Sequence, residues 1–380
     1  MKIAIFYSGY LPGEKYGGPV TSLHNFTELL GDEHDLYIIC SNHDLNDKTP
    51  YKNITEGWNK VGKANVLYLS DSEFSETQFG KIVDELDADF MYVSSIFSAN
   101  IVVPVLSVSK SKGIRLLLAP RGELNNTAFS RKLKAPKKIA YLTMLKLGGK
   151  FVNTYFQATS EEEKKNILHR IGVDKDKVFF LPNIPTVPVK KNLIKKDSGK
   201  LKLCFVGRIV ENKNLLLAIN ALILSKYNII LDIYGPKESL EYWKLCEERI
   251  SKLPKNILIR YKGAVSPLKM KELYGKYDAL ISPTQFENYG QAIVEAMLHD
   301  TPVIISKGTT PWDDIKELNA GFTIPLDNTE QFTEAIDYLG AMDSLEYKKL
   351  IKNLRCYCAK KFNHNELKER YNQVFMQILK

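Results

Sequence analysis

The chain has 380 residues with a formal net charge of +9 at pH 7, and 44% of the residues are hydrophobic, which is enough to bury two cores of ordinary size. No run of about eighteen apolar residues occurs, so the sequence predicts no helix that spans a bilayer. The five cysteines are odd in number and lack metal-ligand spacing, which disfavours a disulfide framework or a zinc site and indicates the reducing cytoplasm.

The first half of the chain alternates short apolar runs with segments of helical periodicity. A helix is predicted from Val20 to Leu30, after the first strand and a glycine-rich loop. Strands that alternate with helices favour a parallel sheet with right-handed crossovers. The predicted strands are Ile3–Tyr7, Leu36–Cys40, Phe90–Val93, Leu116–Ala119, Tyr155–Ala158 and Val178–Leu181.

A proline- and lysine-rich stretch, 184–200, separates the two halves and is interpreted as a linker between domains. The second half then repeats the alternation, with a helix predicted from Leu215 to Leu224 and helical segments from about Asn328 onward. This pattern predicts a second α/β domain. Its predicted strands are Leu201–Val206, Ile229–Tyr234, Ile257–Tyr261, Ala279–Ser282 and Pro302–Ser306.

Two glutamates, Glu287 and Glu295, flank the predicted start of an amphipathic helix. At 1.5 Å rise per residue, they stand on the order of 10 Å apart along the helix axis. Gly290 lies at the predicted helix start, where free backbone N–H groups and the helix dipole favour a phosphate. The span suits a ligand with hydroxyls at both ends and a diphosphate between them, as in a nucleotide-sugar. On this segment alone, a surface helix with two solvated glutamates is the alternative.

A basic pair follows the strand Leu201–Val206. Arg208 comes directly after Gly207, and Lys213 precedes an apolar helix. Cations at the carboxyl end of a strand in an open α/β sheet lie where an anionic ligand binds. Arg can hold a diphosphate with two parallel hydrogen bonds, and Lys supplies a compact charge. Two solvated loop cations are the alternative, and the glutamate pair makes that alternative weaker.

The motifs of the whole chain, in their order, resemble those of the retaining glycosyltransferases of family 4, which have the GT-B fold. The resemblance rests on Gly207-Arg208 with Lys213 and on the segment from Glu287 to Glu295. Each further segment is weak alone, but the ordered set covers nearly the whole chain. The supporting segments are Tyr16-Gly17-Gly18-Pro19-Val20, Ala119-Pro120-Arg121-Gly122-Glu123-Leu124, Ala158-Thr159-Ser160-Glu161, Leu181-Pro182-Asn183-Ile184-Pro185, Ile233-Tyr234-Gly235-Pro236 and Thr310-Pro311-Trp312.

The resemblance implies an α/β architecture of two Rossmann-like, doubly wound domains that face a central cleft. The expected acceptor-side domain spans 1–183, and the expected nucleotide-sugar domain spans 201–362, with the linker at 184–200 between them. Residues 363–380 are expected to form a helix that crosses back to the first domain.

The resemblance also implies a role for each motif residue. Arg208, Lys213 and the backbone N–H groups around Tyr289, Gly290 and Gln291 would hold the diphosphate. These groups stabilise the negative charge that builds up on the phosphate as the nucleoside diphosphate departs. In retaining members the leaving phosphate itself is thought to accept the proton of the acceptor hydroxyl.

The remaining contacts concern the sugar and the nucleoside. Glu287 would position the transferred sugar without becoming a covalent nucleophile, and Glu295 would bind the ribose hydroxyls. Backbone from Gly263 to Val265 would meet the base. Gly17 and Gly18 would let the main chain approach the sugar-phosphate without a Cβ clash.

Arg121 departs from the common family pattern, in which a histidine often occupies this position. A guanidinium is effectively always protonated and cannot act as a general base. Arg121 is expected to bind the sugar or a phosphate, and an ion pair with Glu123 is the alternative. The Pro-Arg-Gly branch of the family has the same residue, so activity is still expected.

No metal or other cofactor is expected, because Arg208 and Lys213 suffice to neutralise a diphosphate. Asp87-Ala88-Asp89 has the Asp-x-Asp form with which the other large glycosyltransferase fold binds a metal. It precedes the strand Phe90–Val93 and so lies opposite the end of the sheet expected to carry ligands. A polar turn is the favoured interpretation.

The segment from Arg131 to Lys150 holds seven basic residues and no acidic one. It is a candidate for peripheral contact with an anionic membrane, which would suit a lipid-linked saccharide acceptor at the inner face of the cytoplasmic membrane. A solvated helix, or a basic wall of the acceptor site, is an equally favoured interpretation of the same charges. No recognition motif for nucleic acid accompanies the charge.

The predicted function is therefore a metal-independent, retaining transfer of a hexose or N-acetylhexosamine from a nucleotide-sugar to a growing surface glycan, such as lipopolysaccharide O-antigen or capsule. UDP is favoured as the carrier because uridine donors are the commoner class, and GDP is the second choice. A GT-B-fold nucleotide-sugar epimerase and a non-catalytic nucleotide-sugar-binding protein are the alternatives. A metal-dependent transferase of the other fold is the least favoured.

Overall fold

The computed structural model of the protein describes residues 1–126, 129, 135–187 and 196–380. Its contacts divide into two compact units. The first unit comprises Met1–Ile184 together with His364–Lys380, and the second comprises Pro185–Asn363. Residues 188–195 of the stretch interpreted as a linker, and the basic residues Arg131, Lys132 and Lys134, lie outside the described residues.

The first unit is built on an eight-stranded sheet with the order β3-β4-β2-β1-β5-β6-β7-β8. All pairings are parallel except that of β3 with β4, which is antiparallel. Every strand predicted in the first half is confirmed to within one residue at each end. The edge pair β3 and β4 was not predicted. The strands are β1 Lys2–Phe6, β2 Asp35–Ser41, β3 Trp58–Val61, β4 Ala64–Leu69, β5 Phe90–Ser94, β6 Leu116–Ala119, β7 Thr154–Ala158 and β8 Val178–Phe180.

The second unit is built on a six-stranded sheet with the order β11-β10-β9-β12-β13-β14, parallel throughout. Its predicted strands are confirmed to within two residues, and the short strand β14 was not predicted. Parallel strands covered by helices on both faces read as continuous apolar runs, which is why the sequence shows them clearly. The strands are β9 Lys200–Val206, β10 Asn228–Tyr234, β11 Ile257–Gly263, β12 Ala279–Ser282, β13 Val303–Ser306 and β14 Phe322–Ile324.

Helices connect most of the parallel strands in both units; the exceptions are β2 to β4, joined through β3, and β13 to β14, joined by the 3-10 turn Asp313–Leu318. Serine side chains cap several of the helices; Ser160, for example, accepts a hydrogen bond from the Glu163 N–H. Among the described residues, no helix has both the length and the apolar character needed to cross a bilayer. The helices are α1 Gly18–Leu30, α2 Glu76–Leu86, α3 Ala99–Lys112, α4 Ala135–Leu147, α5 Glu161–Ile171, α6 Leu215–Ile223, α7 Leu240–Ile250, α8 Pro267–Tyr274, α9 Gln291–Leu298, α10 Thr329–Ala341, α11 Ser344–Lys361 and α12 His364–Leu379.

The last helix, α12, belongs to the core of the first unit. Tyr371 and Phe375 are buried in one apolar cluster with residues of β1 and α1. The ring of Phe375 lies 5.0 Å from that of Phe90, between centroids. The chain therefore leaves the first unit after β8, forms the whole second unit, and returns to the first.

Candidate active site

Three glycine-containing loops lie side by side at the carboxyl edge of the second sheet. Gly207 follows β9, Gly235 follows β10, and Gly263 ends β11. The Gly207 N–H donates to the Tyr234 carbonyl over 2.9 Å, and the Gly235 N–H donates to the Gly263 carbonyl over 2.9 Å. A Cβ on Gly235 would overlap the Gly207 carbonyl oxygen. The close approach of two backbones therefore requires glycine at Gly235.

The structure brings Lys213 and Glu287 together. Lys213 ends a short 3-10 turn that follows β9, and its Nζ forms an ion pair with Glu287 Oε1. The Lys213 stem passes the Gly207 loop, with Cδ 3.7 Å from where a Cβ on Gly207 would lie. Glu287 approaches from the loop that follows β12. A cation and a carboxylate from different loops thus meet at the carboxyl edge of the sheet, where α/β sheets bind ligands.

Main-chain hydrogen bonds fix the position of Glu287. Its N–H donates to the Thr309 carbonyl over 2.7 Å. Asn212 accepts from the Gln285 N–H over 2.8 Å and donates its amide to the Phe286 carbonyl over 3.2 Å. Asn212 precedes Lys213, so the same turn holds both the cation and the loop that carries its partner. The sequence analysis missed Asn212 and Thr309, and their residue types alone gave no signal.

Arg208 points to a different carboxylate. Its Nη1 donates to Glu238 Oε2 over 2.7 Å, and both side chains are about half exposed. Glu238 lies in the loop that follows β10, between Gly235 and α7. This partner was also missed, because the pairing depends on the contact between two loops distant in sequence.

The start of helix α9 carries the predicted phosphate-binding backbone. Gly290 precedes the helix with a φ of 73°, a left-handed conformation that favours glycine. The first N–H groups of a helix lack intrahelical partners and are free to bind an anion. The carbonyl of Tyr289 accepts a hydrogen bond from Trp312 Nε1 over 2.6 Å, and the two rings pack edge to face. Trp312 therefore holds the backbone that leads into Gln291.

Glu295 lies one turn into α9 and is 4% exposed. Its carboxylate oxygens accept hydrogen bonds from Gln291 Nε2 over 3.2 Å and Tyr274 OH over 3.4 Å. Burial raises the pKa of the Glu295 carboxyl to about 7. The amide oxygen of Gln291 is also buried and has no hydrogen-bond partner in the described structure. The start of α9 therefore carries a buried hydrogen-bond acceptor, Gln291 Oε1, that no described protein group satisfies.

The segment predicted to meet a base, Gly263 to Val265, is half-buried. Gly263 has a φ of 78°, and the space where its Cβ would lie is open. Val265 packs against the core of the second unit. The backbone between them follows the carboxyl end of β11.

In the first unit, Gly17 and Gly18 lie at the start of α1. Gly17 has a φ of 67° and a ψ of −141°, which only glycine adopts readily. No atom lies within 4 Å of the position of its Cβ. The carboxylate of Asp44 holds the preceding turn by accepting from the Glu14 N–H over 2.8 Å and the Lys15 N–H over 3.2 Å.

Arg121 is held by protein groups at the carboxyl edge of the first sheet. Its Nη1 donates to Asn183 Oδ1, its Nη2 to Tyr92 OH over 2.5 Å and its Nε to Ser94 Oγ over 3.3 Å. Its backbone is left-handed, with a φ of 56°. Glu163 fixes the adjoining residue, since its Oε1 accepts from the Gly122 N–H over 2.5 Å. Glu163, two residues beyond the supporting motif, was missed.

The alternative ion pair of Arg121 with Glu123 is wrong. Glu123 turns away and accepts hydrogen bonds from Ser95 Oγ over 2.9 Å and the Ile96 N–H over 2.7 Å. Burial raises the pKa of this carboxyl. Backbone geometry explains the difference, since the left-handed turn at Arg121 sends the two side chains to different neighbours.

The Asp-x-Asp segment lies at the opposite edge of the first sheet. Asp87 follows the last residue of α2 with a φ of 50°, and Asp89 Oδ2 accepts from the Lys2 N–H over 2.7 Å. Asp89 thus ties the start of β1 to the start of β5. Within the described ranges, no group of three or more His, Cys, Asp or Glu side chains is placed to hold a metal.

The chain is similar to known proteins over part or all of its length. Residues 188–356 match the family model for glycosyl transferases group 1. A Klebsiella pneumoniae protein described as an uncharacterized 41.2 kDa protein in the cps region is 22% identical over 375 residues, which cover 94% of this chain and 96% of the relative. The alpha-1,3/1,6-mannosyltransferase ALG2 of Yarrowia lipolytica is 28% identical over 204 residues, covering 46% of this chain and 42% of the relative.

Solved structures identify the fold. The crystal structure of Anabaena Alr3699/HepE in complex with UDP-glucose matches with a TM-score of 0.73 at 15% identity, covering 99% of this chain and 100% of that chain. This likeness confirms the predicted GT-B fold class, with its two Rossmann-like parallel sheets. The family match and the glycosyltransferase relatives support transferase activity.

Proposed function

We propose that this protein is a retaining glycosyltransferase of family 4 that transfers a hexose or N-acetylhexosamine from a nucleotide-sugar to a growing, lipid-linked surface glycan. The observation that carries the proposal is the contact of Lys213 with Glu287 at the carboxyl edge of the second sheet, close in sequence to the free N–H groups of α9. This combination offers a cation and helix N–H groups for a phosphate, and a carboxylate for sugar hydroxyls.

The chemistry follows from where charge develops. When the bond from the sugar carbon to the diphosphate breaks, negative charge builds up on the phosphate oxygens. Lys213, Arg208 and the backbone N–H groups at Gly290 and Gln291 are assigned to that charge. Because these groups are fixed before the reaction, they stabilise the transition state more than the ground state.

Retention is assigned to a reaction on one face of the sugar. The leaving phosphate accepts the proton of the acceptor hydroxyl as the new glycosidic bond forms at the carbon that loses the phosphate. Glu287, anchored by its own N–H and paired with Lys213, orients the sugar hydroxyls. No covalent glycosyl-enzyme intermediate is needed.

The second unit is assigned to the donor and the first to the acceptor. Glu295 would bind the ribose hydroxyls, and the half-buried backbone from Gly263 to Val265 would meet the base. Gly17 and Gly18 are assigned to substrate contact through the backbone. The donor nucleotide is proposed to be UDP, which the UDP-glucose complex of the Anabaena structure supports. The mannosyltransferase relative supports a hexose other than glucose as the alternative transferred sugar.

Arg121 is assigned a substrate-binding role in the first unit. Its three hydrogen-bonded nitrogens place its charge at the carboxyl edge of the first sheet while leaving little freedom for movement. A charge fixed in this way orients an anionic or polar substrate group without exchanging a proton.

Contact with an anionic membrane is proposed through helix α4. Ile139 and Met144 are each 54% exposed on this helix and Leu147 is 85% exposed, whereas Leu142 and Leu145 are buried. Lysines on the same segment complement anionic headgroups. We expect sedimentation with phosphatidylglycerol vesicles at low salt, reduced in Leu147→Ser. Equal sedimentation of the variant and the parent would contradict the contact.

The test of the function is a transfer assay with UDP-glucose and UDP-N-acetylglucosamine, each with a lipid-linked saccharide extract and with EDTA. Transfer that needs the extract, survives EDTA and yields the same anomeric configuration as the donor is the expected result. Conversion of the donor sugar without any extract would indicate an epimerase instead. Donor binding without turnover of either kind would indicate a non-catalytic binding protein, and loss of transfer on chelation would contradict metal independence.

A further inference from the structure

Arg208 already has an internal anion as its partner. Its Nη1 donates to Glu238 Oε2 over 2.7 Å. A diphosphate bound to Arg208 through two parallel hydrogen bonds that include Nη1 would compete with this carboxylate. Resting on the proposed function, we propose that Glu238 is a built-in competitor of the donor diphosphate, which holds Arg208 in the empty site and gives it up when the nucleotide binds.

Backbone hydrogen bonds join the two loops that carry Arg208 and Glu238. The Ile209 N–H donates to the Pro236 carbonyl over 2.9 Å, and the Ser239 N–H donates to the Ile209 carbonyl over 3.1 Å. Gly235 lies so close to Gly207 that no side chain fits between them. The main chain therefore keeps Glu238 beside Arg208 whether or not their side chains are paired, so the carboxylate is always available to return.

The pair can open at little cost. The side chains of Arg208 and Glu238 are 50% and 46% exposed, and a single nitrogen joins a single oxygen. Exposed pairs of this kind contribute little, because water and salt replace the partner. A diphosphate carries more charge and can accept two parallel hydrogen bonds from one guanidinium, so it displaces the carboxylate.

The second cation of the site is less suited to such an exchange. Lys213 and its partner Glu287 are 19% and 18% exposed, and Glu287 is anchored through its own backbone. Glu287 also has a proposed role toward the sugar, whereas Glu238 has none. Glu238 thus serves to set how tightly the nucleotide is held, and its return to Arg208 favours release of the product nucleotide.

Removing the competing charge tests this role. In Glu238→Gln, Arg208 loses its ionic partner and the site loses one negative charge, so the Kd for the nucleoside diphosphate should fall by about two- to fivefold, the range expected from an exposed pair. Glu241→Gln is the matched control, since Glu241 is an exposed residue at the start of α7 and its change removes the same charge. Screening at about 0.15 M salt keeps its effect small.

The experiment is calorimetric titration of the whole chain with UDP and, separately, with GDP. It uses the parent protein, Glu238→Gln, Glu241→Gln, Arg208→Ala and the double variant Arg208→Ala/Glu238→Gln. Among these five proteins we expect tighter binding than the parent in Glu238→Gln alone, and no gain when Glu238→Gln is added to Arg208→Ala. Glu238→Asp, whose shorter side chain reaches Arg208 less well, should lie between the parent and Glu238→Gln.

The outcomes separate the two proposals. If the parent binds neither nucleotide, the proposed function fails and the competitor role fails with it. If the parent binds UDP or GDP but Glu238→Gln binds no tighter, only the competitor role is overturned. A gain that persists in the Arg208→Ala background would also overturn it, because the effect would then act through general charge and not through Arg208.

Discussion

Lys213→Met removes the cation that meets Glu287 while keeping an apolar stem beside the Gly207 loop. Loss of one donor aimed at developing charge typically costs about 2.7–4 kcal/mol of transition-state stabilisation, or two to three orders of magnitude in rate. The ion pair is 19% and 18% exposed at its two side chains. Its loss therefore lies between the values for exposed and buried pairs, and we expect the free energy of unfolding to fall by about 1–2 kcal/mol.

The assay is release of UDP from a UDP-sugar in the presence of acceptor extract, with thermal unfolding measured in parallel. Lys244→Met is the control, because Lys244 is an exposed lysine of α7 and its change alters the net charge equally. We expect kcat to fall by two to three orders of magnitude in Lys213→Met alone. A folded Lys213→Met protein with kcat within about threefold of the parent would refute the assignment of Lys213 to the leaving phosphate.

Three further predictions concern stability. Burial raises the pKa of Glu295 to about 7, above its unfolded value, so the native state holds an extra proton between about pH 4.5 and 7 and stability falls as the pH rises through that window. The free energy of unfolding of Glu295→Gln should therefore exceed that of the parent by up to about 3 kcal/mol at pH 8 and equal it near pH 4. The same pH dependence of the unfolding temperature in both proteins would contradict this. Gly235→Ala should destabilise far more than Gly263→Ala in chemical denaturation, since only the first adds a Cβ where backbone already lies; equal costs would contradict this. Tyr371→Phe removes a hydroxyl that accepts from a buried glutamine and donates to the Pro182 carbonyl, so we expect a loss of about 1–3 kcal/mol in urea unfolding, against none for the exposed Tyr338→Phe; a cost below 0.5 kcal/mol would contradict this.

The parallel sheets could be predicted from the sequence, because strands buried on both faces are continuous apolar runs. The missed elements lack that signal. In β3, exposed Trp58 and Lys60 alternate with half-buried residues, and the strand pairs only at the edge of its sheet. β14 has three residues, too few to show a period. Position at a sheet edge does not by itself hide a strand, since the edge strands β8 and β11 were predicted from their apolar runs.

The candidate site was predictable where the topology alone decides proximity. Lys213 and Glu287 both follow strands of one parallel sheet, so their loops meet at one edge. The partners that hold them were not predictable. Glu238 and Asn212 are ordinary polar loop residues, and their contacts depend on how neighbouring loops pack. The surroundings of Arg121 were missed for the same reason, since its left-handed backbone redirects the side chain toward Tyr92.

The most direct test of the central claim is a thermal-shift panel of UDP, GDP and ADP with their common sugar conjugates, each with and without EDTA. A nucleotide at one hundred times its Kd stabilises the native state by about 2.7 kcal/mol, which is readily measured. We expect one nucleotide class to raise the unfolding temperature regardless of EDTA, and the shift to disappear in Arg208→Ala and Lys213→Ala. If no nucleotide shifts the parent protein, or if the shift requires a metal, the assignment of this edge of the second sheet to a nucleotide-sugar is contradicted.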